Sequence, residues 1–530
     1  MDNNITSSND HPAVPPLQDT NRVIEKPVSM VDFVFAILAF ILGFLFIKNG
    51  VCSDPGIGMT VFCLLFVAIS LIHAKRKNIP IGFSAYFGAG FISLFSLVFV
   101  LSDNTFIKLW TLVFIFVSVI YWYLCMFGHL GGKKIDDIFI VNLLKSIFIP
   151  FESMGQIVRV IPSDLKKKNG ASRILYILIG LLIAVIPTLI ILTLLTKADN
   201  AFGNLINYIF SDIEKIISVN ILPLLFGIPA AMYIFGMMFS FSEKKERFDT
   251  GFKKSAKLIN SCQSVSNIII CSALTPLLLV YLLFFISQSA YFLSAFESIV
   301  PAGMNSSQYA REGFFQLCTV SCINAFIIIL TVFFGKRNEN GNISRVQKTY
   351  TVLFSVFTVA LVVTAISKMV LYIDLFGLTL KRVYATWFLL LIGILFIILT
   401  IKQFRSKMNY MRAAVISFVM MFGLLVFCDV DARIAHYNIN HYVSGDLETL
   451  DTQMFDQLSD SAIPYLFDAY DKLPETDQIM VKNKLLHLSN RYRRDAYSRS
   501  YRSFNIPSAI AIELFDDKGY DLPRIFGWEW

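Results

Sequence analysis

Charged residues are scarce in this 530-residue chain. Only 16% are Asp, Glu, Lys or Arg, against about 25% in ordinary soluble proteins. Apolar residues make up 55% of the chain, and the mean hydropathy is +0.62. The eight cysteines follow neither a disulfide framework nor a zinc-binding spacing. These features exclude a cytosolic enzyme, a disordered chain and a secreted disulfide scaffold, and they indicate a polytopic membrane protein.

The sequence also lacks the motifs of familiar membrane enzymes and pumps. It has no Walker loop, no GxSxG elbow and no HExxH pair, and no GxGxxG follows a strand. The apolar runs carry no Asp or Glu near their centres, which lowers the expectation of a proton-coupled or sodium-coupled transporter. We therefore predict no cofactor, no metal site and no catalytic residue.

Long apolar runs predict an all-α, polytopic transmembrane helix bundle. A helix needs about 20 apolar residues to cross a bilayer, and residues 1–29 are instead polar, as in a disordered tail. The predicted bundle covers residues 30–430. Its eleven predicted spans are 30–47, 57–73, 81–101, 106–127, 174–195, 219–241, 266–288, 314–334, 350–372, 384–401 and 413–430.

Basic residues alternate between the connections of these spans. The N-terminal tail and the even-numbered connections hold 27 Lys and Arg, whereas the odd-numbered connections and adjoining helix ends hold eight. Because Lys and Arg are enriched in cytoplasmic loops, the N-terminus is predicted to be cytoplasmic. Eleven spans then place the C-terminus outside a bacterial plasma (inner) membrane. The net charge of +8 thus reflects topology, and no nucleic-acid partner is predicted.

Residues 431–530 differ in composition from the bundle. They contain 16 acidic and 11 basic residues and no long apolar run. Apolar residues recur at helical spacing at Leu450, Met454 and Leu458, and further helices are predicted near 462–473 and 476–494. We expect a small extracytoplasmic α-helical domain.

A group of polar residues recurs where the later spans reach the outer interface. One interpretation is salt bridging that docks the outer domain on the bundle, which we favour because interfacial Lys and Arg often only pair or snorkel. The other is a cationic pocket for an anionic lipid or envelope precursor, for which Arg offers a bidentate fork. The candidate ligand-binding residues are Arg311, Glu312, Lys368, Tyr372, Asp374, Lys381, Arg382, Asp431 and Arg433.

Three sequence runs carry a family resemblance. They are YAREGFFQL at 309–317, LYIDLFGLTLKR at 371–382 and RIAHYNI at 433–439. Together they resemble the bacterial membrane-protein family catalogued as domain of unknown function four-one-seven-three (near four-one-five-three), over much of residues 170–510. Gln316 replaces an expected Glu, and Phe376 replaces an expected Tyr. The resemblance implies a multi-pass membrane protein and brings no activity.

Three functions remain open at this point. The first is a non-enzymatic sensor, scaffold or regulatory protein with a membrane protein partner. The second is a transporter or lipid-handling protein that binds an anionic ligand at the outer interface. The third is a membrane enzyme acting on lipid-linked substrates, with Glu312, Asp374 and Asp431 as candidate acids. The first is favoured because the chain combines a soluble appendage with a lack of catalytic motifs.

Overall fold

The described part of the chain is helical. The computed structural model describes residues 30–130, 135, 139–159, 188, 191–192, 194–205, 222–243, 257, 261–288, 306–337, 343–405, 407–470, 472–495 and 500–519. Within these ranges there is no named strand, and the one isolated bridge joins Val265 to Gly335.

The helices follow one another with short turns over most of the described ranges. Short 3-10 helices cover Thr452–Asp456, Asp460–Ala462 and Tyr501–Ser503. The main α-helices of the described ranges are α1 (Met30–Gly50), α2 (Ile57–Arg76), α3 (Phe83–Ser96), α4 (Val98–Leu101), α5 (Thr105–Met126), α6 (Phe139–Ser153), α7 (Gln156–Arg159), α8 (Leu222–Glu243), α9 (Asn267–Gln288), α10 (Ser306–Phe334), α11 (Arg345–Phe376), α12 (Leu380–Phe404), α13 (Tyr410–Phe427), α14 (Val430–Val443), α15 (Ile463–Tyr470), α16 (Glu475–Asp495) and α17 (Ile506–Asp517).

Ten candidate membrane spans lie within the described residues, and they confirm the predicted class of a multi-pass, all-α membrane protein. They coincide with ten of the eleven predicted runs: α1, α2, α3 with α4, α5, and α8 to α13. Pro229 and Pro276 lie inside α8 and α9 without ending either helix, which membrane helices tolerate. The remaining predicted span, 174–195, lies almost wholly outside the described residues and stays a prediction.

Three of the odd-numbered turns, which lie in the described residues, meet at one end of the bundle, against the C-terminal helices α14 to α17. Hydrogen bonds run from Ile57 N to Phe504 O at 2.9 Å, from Asn505 Nδ2 to Asp103 Oδ1 at 3.0 Å and from Leu378 N to Asn438 Oδ1 at 2.6 Å. These contacts join the α1–α2, α4–α5 and α11–α12 turns to the C-terminal helices. We call this end of the bundle the docking end.

Even-numbered connections meet at the opposite end. Asn409 Nδ2 donates to Ile135 O at 2.6 Å, and His129 Nε2 is 2.7 Å from Phe241 O. Lys77, after α2, forms a salt bridge of 2.8 Å with Asp32 in the first turn of α1. The two ends thus sort the connections by parity, as the charge alternation predicts.

Polar side chains join three spans of the second half of the bundle. Tyr281 of α9 donates to Asn324 of α10, whose Nδ2 donates to Thr358 Oγ1 of α11 at 3.0 Å. Asn324 and Thr358 are fully buried. Such hydrogen bonds hold membrane helices together because lipid offers no competing partner.

The C-terminal helices share their core with the bundle. Leu425 of α13 packs with buried residues of α14 to α17, including Leu466, Leu485 and Phe515. Trp387 of α12 packs against the same cluster. The helices predicted near 462–473 and 476–494 correspond to α15 and α16. Separation of residues 431–530 as a domain remains a prediction.

Helices α1 and α8 approach so closely that a side chain at Gly43 has no room. A Cβ atom there would lie 2.5 Å from Gly227 O and 2.5 Å from Ala231 N. Gly43→Ala should therefore lower the free energy of unfolding by about 1–3 kcal/mol, the range of core overpacking. The measurement is thermal or denaturant unfolding in detergent. Gly90→Ala in α3 is the matched control, since a Cβ there meets nothing within 4 Å. Equal unfolding of both variants would contradict the packing.

Candidate functional site

The site begins where the last span turns into α14. Asp429 precedes α14 with φ +44°, a left-handed conformation that Asp tolerates better than most residues. Its side chain caps α14 by accepting the N–H of Ala432 at 3.4 Å. Burial raises the pKa of Asp429 above its ordinary value, and the hydrogen bonds it accepts and nearby Arg433 oppose that rise. The turn places α14 across the docking end of the bundle.

Asp431 joins three distant parts of the chain. Its carboxylate is 1% exposed and accepts hydrogen bonds from Asn104 Nδ2 at 2.7 Å and from Ser459 N at 2.8 Å. The same Asn104 amide lies 3.1 Å from the Tyr384 hydroxyl, which accepts from it. Burial raises the pKa of Asp431, and the hydrogen bonds from Ser459 and Asn104 partly oppose this rise. Asp431 therefore ties α5, α12 and the segment before α15 together.

Asn438 recognises the main chain of the α11–α12 turn. Leu378 N donates to its Oδ1 at 2.6 Å, and its Nδ2 donates to Leu378 O at 2.8 Å. The turn comes this close because Gly377 has φ +72° and a Cβ there would lie 2.5 Å from Asn438 Oδ1. Two of the sequence runs that carry the family resemblance thus meet through a residue-specific contact.

Arg382 closes the C-terminal end of α11. Its guanidinium donates to Phe376 O at 2.8 Å and to Gly377 O, and it lies 4.1 Å from the centroid of the Tyr372 ring. A cation at this end of a helix satisfies its last carbonyls and complements its dipole. The structure therefore gives Arg382 and Tyr372 a role in shaping the turn.

The other predicted residues are distributed along α10 and α11 and around their ends. Lys368 is buried, and a Cβ at Gly313 would lie 2.7 Å from its Nζ, so its side chain packs over α10 at a glycine. Arg311, Asp374 and Lys381 are exposed, and the side chain of Glu312 lies outside the described residues. Some of the predicted residues are therefore buried in contacts with other helices, and others are exposed at the surface.

An open groove of about 700 Å³ runs along the exposed side of α14. We call it the α14 groove. Arg433 reaches it, with its Nε donating to Cys428 O at 2.7 Å. His436 lies beside Asn440, with 3.0 Å between His436 Nε2 and Asn440 Nδ2. Its lining residues are Leu378, Cys428, Asp429, Ala432, Arg433, His436, Tyr437, Asn440, His441 and Tyr465.

Basic and acidic side chains lie together at the end of the groove near the C-terminus of α14. His441 Nδ1 is 3.1 Å from Asp446 Oδ2, and the Ser444 hydroxyl donates to the same oxygen at 2.7 Å. The Ser444 hydrogen bond, with that of His441, lowers the pKa of Asp446. Partial burial raises the pKa of Tyr437, and the carboxylates of Asp374 and Asp446 raise it further. The groove offers a guanidinium, imidazoles, an amide and phenols for recognition.

Sequence reasoning missed several residues of the docking contact. Asp103 lies 3.6 Å from Lys108 and accepts from Asn505, while the buried Asp460 accepts from Arg491 at 2.8 Å and from Ser508 at 2.6 Å. The helix-capping pattern was the available signal, since Asn104 caps α5 and Asn505 caps α17. His436 and His441, five residues apart in α14, both line the α14 groove.

Comparison with known proteins identifies a family. A family model described as a domain of unknown function, DUF4153, matches residues 89–469, which contain all three runs of the predicted resemblance. The predicted family is thereby confirmed, with DUF4153 as its designation. No curated protein and no solved structure matches the chain.

The amide of Asn438 is required both as donor and as acceptor. Asn438→Asp keeps the size and the acceptor but removes the Nδ2 donor to Leu378 O, leaving this half-buried carbonyl without that donor. We expect a loss of about 1–3 kcal/mol in the free energy of unfolding, measured by denaturant titration. Asn440→Asp on the exposed side of the same helix is the matched control. A control variant as unstable as Asn438→Asp would contradict the assignment.

Proposed function

This chain belongs to the DUF4153 family, and from that premise we propose that it is a non-enzymatic membrane sensor or scaffold. In this proposal the C-terminal helices, residues 430–519, are held in a fixed position on the docking end. They present the α14 groove to a partner at the outer face of a bacterial plasma membrane. The bundle anchors and positions that surface.

The observation that carries the proposal is the fixed docking of α14. Asp431 and Asn438 of α14 are 1% and 3% exposed, and they bond the α4–α5 and α11–α12 turns of the bundle. Asp460, which is 1% exposed, joins the segment before α15 to Ser508 of α17. Buried polar groups are costly unless every partner is in place, so such contacts favour one arrangement over its alternatives. A surface held this firmly suits recognition.

The same contacts argue against the enzyme hypothesis. Asp431 is engaged by Asn104 and Ser459 inside the contact, whereas Asp374 is exposed at the end of α11. An acid–base pair needs two groups directed at one substrate position. These two candidate acids do not have that arrangement.

The α14 groove favours a second candidate function, binding of an anionic lipid or envelope precursor. Among the predicted cations, Arg433 faces the open groove, while Arg382 and Lys368 pack against protein. Arg433 with His436 and Asn440 would supply donors to a phosphate. In this alternative the protein handles lipid or transports an anionic solute.

Removing the groove donors should separate these functions. In the full chain, Arg433→Ala with His436→Ala deletes a guanidinium and an imidazole from the groove; both side chains are exposed. We expect a cross-linked protein partner, quantified from native membranes, to be lost. Lys482→Ala with His487→Ala on the exposed side of α16 is the matched control.

Native mass spectrometry of the same variants tests the alternative. A bound anionic lipid lost from the groove variant, with no protein partner in either sample, would favour lipid handling. Identical partners and lipids in the groove variant, control and wild type would contradict both functions.

Two native cysteines test the proposed orientation. Cys52 is exposed in the α1–α2 turn at the docking end, and Cys262 lies on the opposite side, before α9. We expect a membrane-impermeant maleimide to label a variant retaining only Cys52 in intact cells. A variant retaining only Cys262 should react only after permeabilisation. The reverse pattern would overturn the cytoplasmic N-terminus.

A further inference from the structure

An apolar cavity of about 260 Å³, partly open on one side, lies within the first half of the bundle. Helices α2, α5 and α8 form most of its wall, and single residues of α1 and α3 complete it. Tyr233 is the lining residue with a hydroxyl, and that hydroxyl donates to Ile147 O at 3.0 Å. The lining residues are Phe46, Met59, Phe62, Cys63, Phe66, Ile92, Leu112, Ile115, Phe116, Val119, Ala230, Tyr233, Ile234 and Met237.

The three wall helices contribute the same pattern. Each lines the cavity with residues at i, i+3, i+4 and i+7, over 59–66 in α2, 112–119 in α5 and 230–237 in α8. Seven helical steps of 1.5 Å make the cavity about 10 Å long. It is a narrow channel that runs along the helix axes.

The channel reaches the docking end along α2 and the middle of the bundle along α5 and α8. Met59 is the third residue of α2, directly after the α1–α2 turn. The lining residues of α5 and α8 begin at the eighth and ninth positions of those helices, at Leu112 and Ala230, and continue through their middle. All three helices start at the docking end. The channel therefore runs along the helix axes from the docking end into the middle of the bundle.

The channel also has a side that borders the bilayer. Phe116 of α5 is 40% exposed, and its ring centroid lies 5.9 Å from that of Tyr233 of α8. Leu112 and Ala230 beside them are half-buried. These side chains form a thin wall between the channel and surrounding lipid.

The chemistry of the walls selects the occupant. A buried water needs two to four polar partners, which this lining does not provide. An unfilled apolar cavity of this size is costly because its walls lose packing contacts. In a membrane the available apolar filler is a hydrocarbon chain. We propose that this channel binds one acyl chain of a bilayer lipid.

This site stands apart from the α14 groove and does not depend on the proposed function. The channel lies among membrane spans, whereas the groove lies on α14. Loss of lipid binding in the channel can be measured while the α14 groove still binds its partner, and the reverse.

The test is photo-cross-linking of the full-length protein in phospholipid nanodiscs. The probe is a diacyl phospholipid with a diazirine in the middle of one acyl chain. We expect label on the buried lining residues Phe62, Ile115 and Met237 as well as on outward-facing Leu64 and Val113. Label confined to the outward-facing residues in the wild type would overturn the proposal without any variant.

A filling variant shows whether the buried label arises from the channel. Ala230→Phe should abolish label on Phe62, Ile115 and Met237 while leaving that on Leu64 and Val113. Ala68→Phe, on the exposed side of α2, is the matched control and should label as wild type. If Ala230→Phe is not monodisperse, Val119→Phe serves as the second filling variant. Unchanged buried label in a folded filling variant would refute the site.

Discussion

A carboxylate buried at the junction between the spans and the C-terminal helices constrains much of this structure. Asp431 cannot enter the protein interior without hydrogen-bond donors, because a buried and unpaired charge costs several kcal/mol. Asn104 and the main chain of Ser459 supply those donors at 2.7 and 2.8 Å. The α4–α5 turn, the start of α14 and the segment before α15 must therefore be correctly placed together. Burial raises the pKa of Asp431, which shows that desolvation exceeds the help of its partners.

The position of α14 determines what the rest of the docking end can do. With Asp431 inward at the start of the helix and Asn438 seven residues later against Leu378, one side of α14 faces the bundle along two turns. The opposite side, with Arg433, His436 and Asn440, is then left facing outward. The groove is thus a geometrical consequence of the buried contacts. The polar side chains of the groove remain accessible because the docking contacts use other residues of the same helix, Asp431 and Asn438.

The spans were predictable from sequence because their causes are local. Hydropathy over about 20 residues identifies a span whatever it packs against, and ten of the eleven predicted runs are observed as candidate spans. The alternation of basic residues divides the connections into two sets, and the described turns of each set meet at opposite ends of the bundle. The family followed from three short runs, two of which are joined by Asn438 and Leu378.

The candidate site was less predictable because its contacts join residues far apart in the chain. Asn104 and Asp431 are separated by 327 residues, and no local pattern in either segment specifies the other. Arg382 looked like a ligand-binding cation because Arg is scarce at that interface. Whether its guanidinium meets a ligand or the carbonyls of Phe376 and Gly377 depends on how the turn folds. The sequence therefore showed that a cation lies at this interface, but only the folded structure shows which group its guanidinium contacts.

The acyl-chain channel and the docking contact meet at the same turns. Met59 lines the channel and lies 3.4 Å from the position of a Cβ at Gly50, while Ile57 N, two residues earlier, donates to Phe504 O beside α17. The start of α5 is bonded to the C-terminal segment as well, through Asn104 and Asp431. The first turn of α2 therefore belongs to both contacts, so a substitution there would disturb the docked C-terminal helices together with the proposed acyl-chain site. Substitutions deeper in the channel, such as Ala230→Phe, avoid this overlap, because Ala230 lies nine residues into α8.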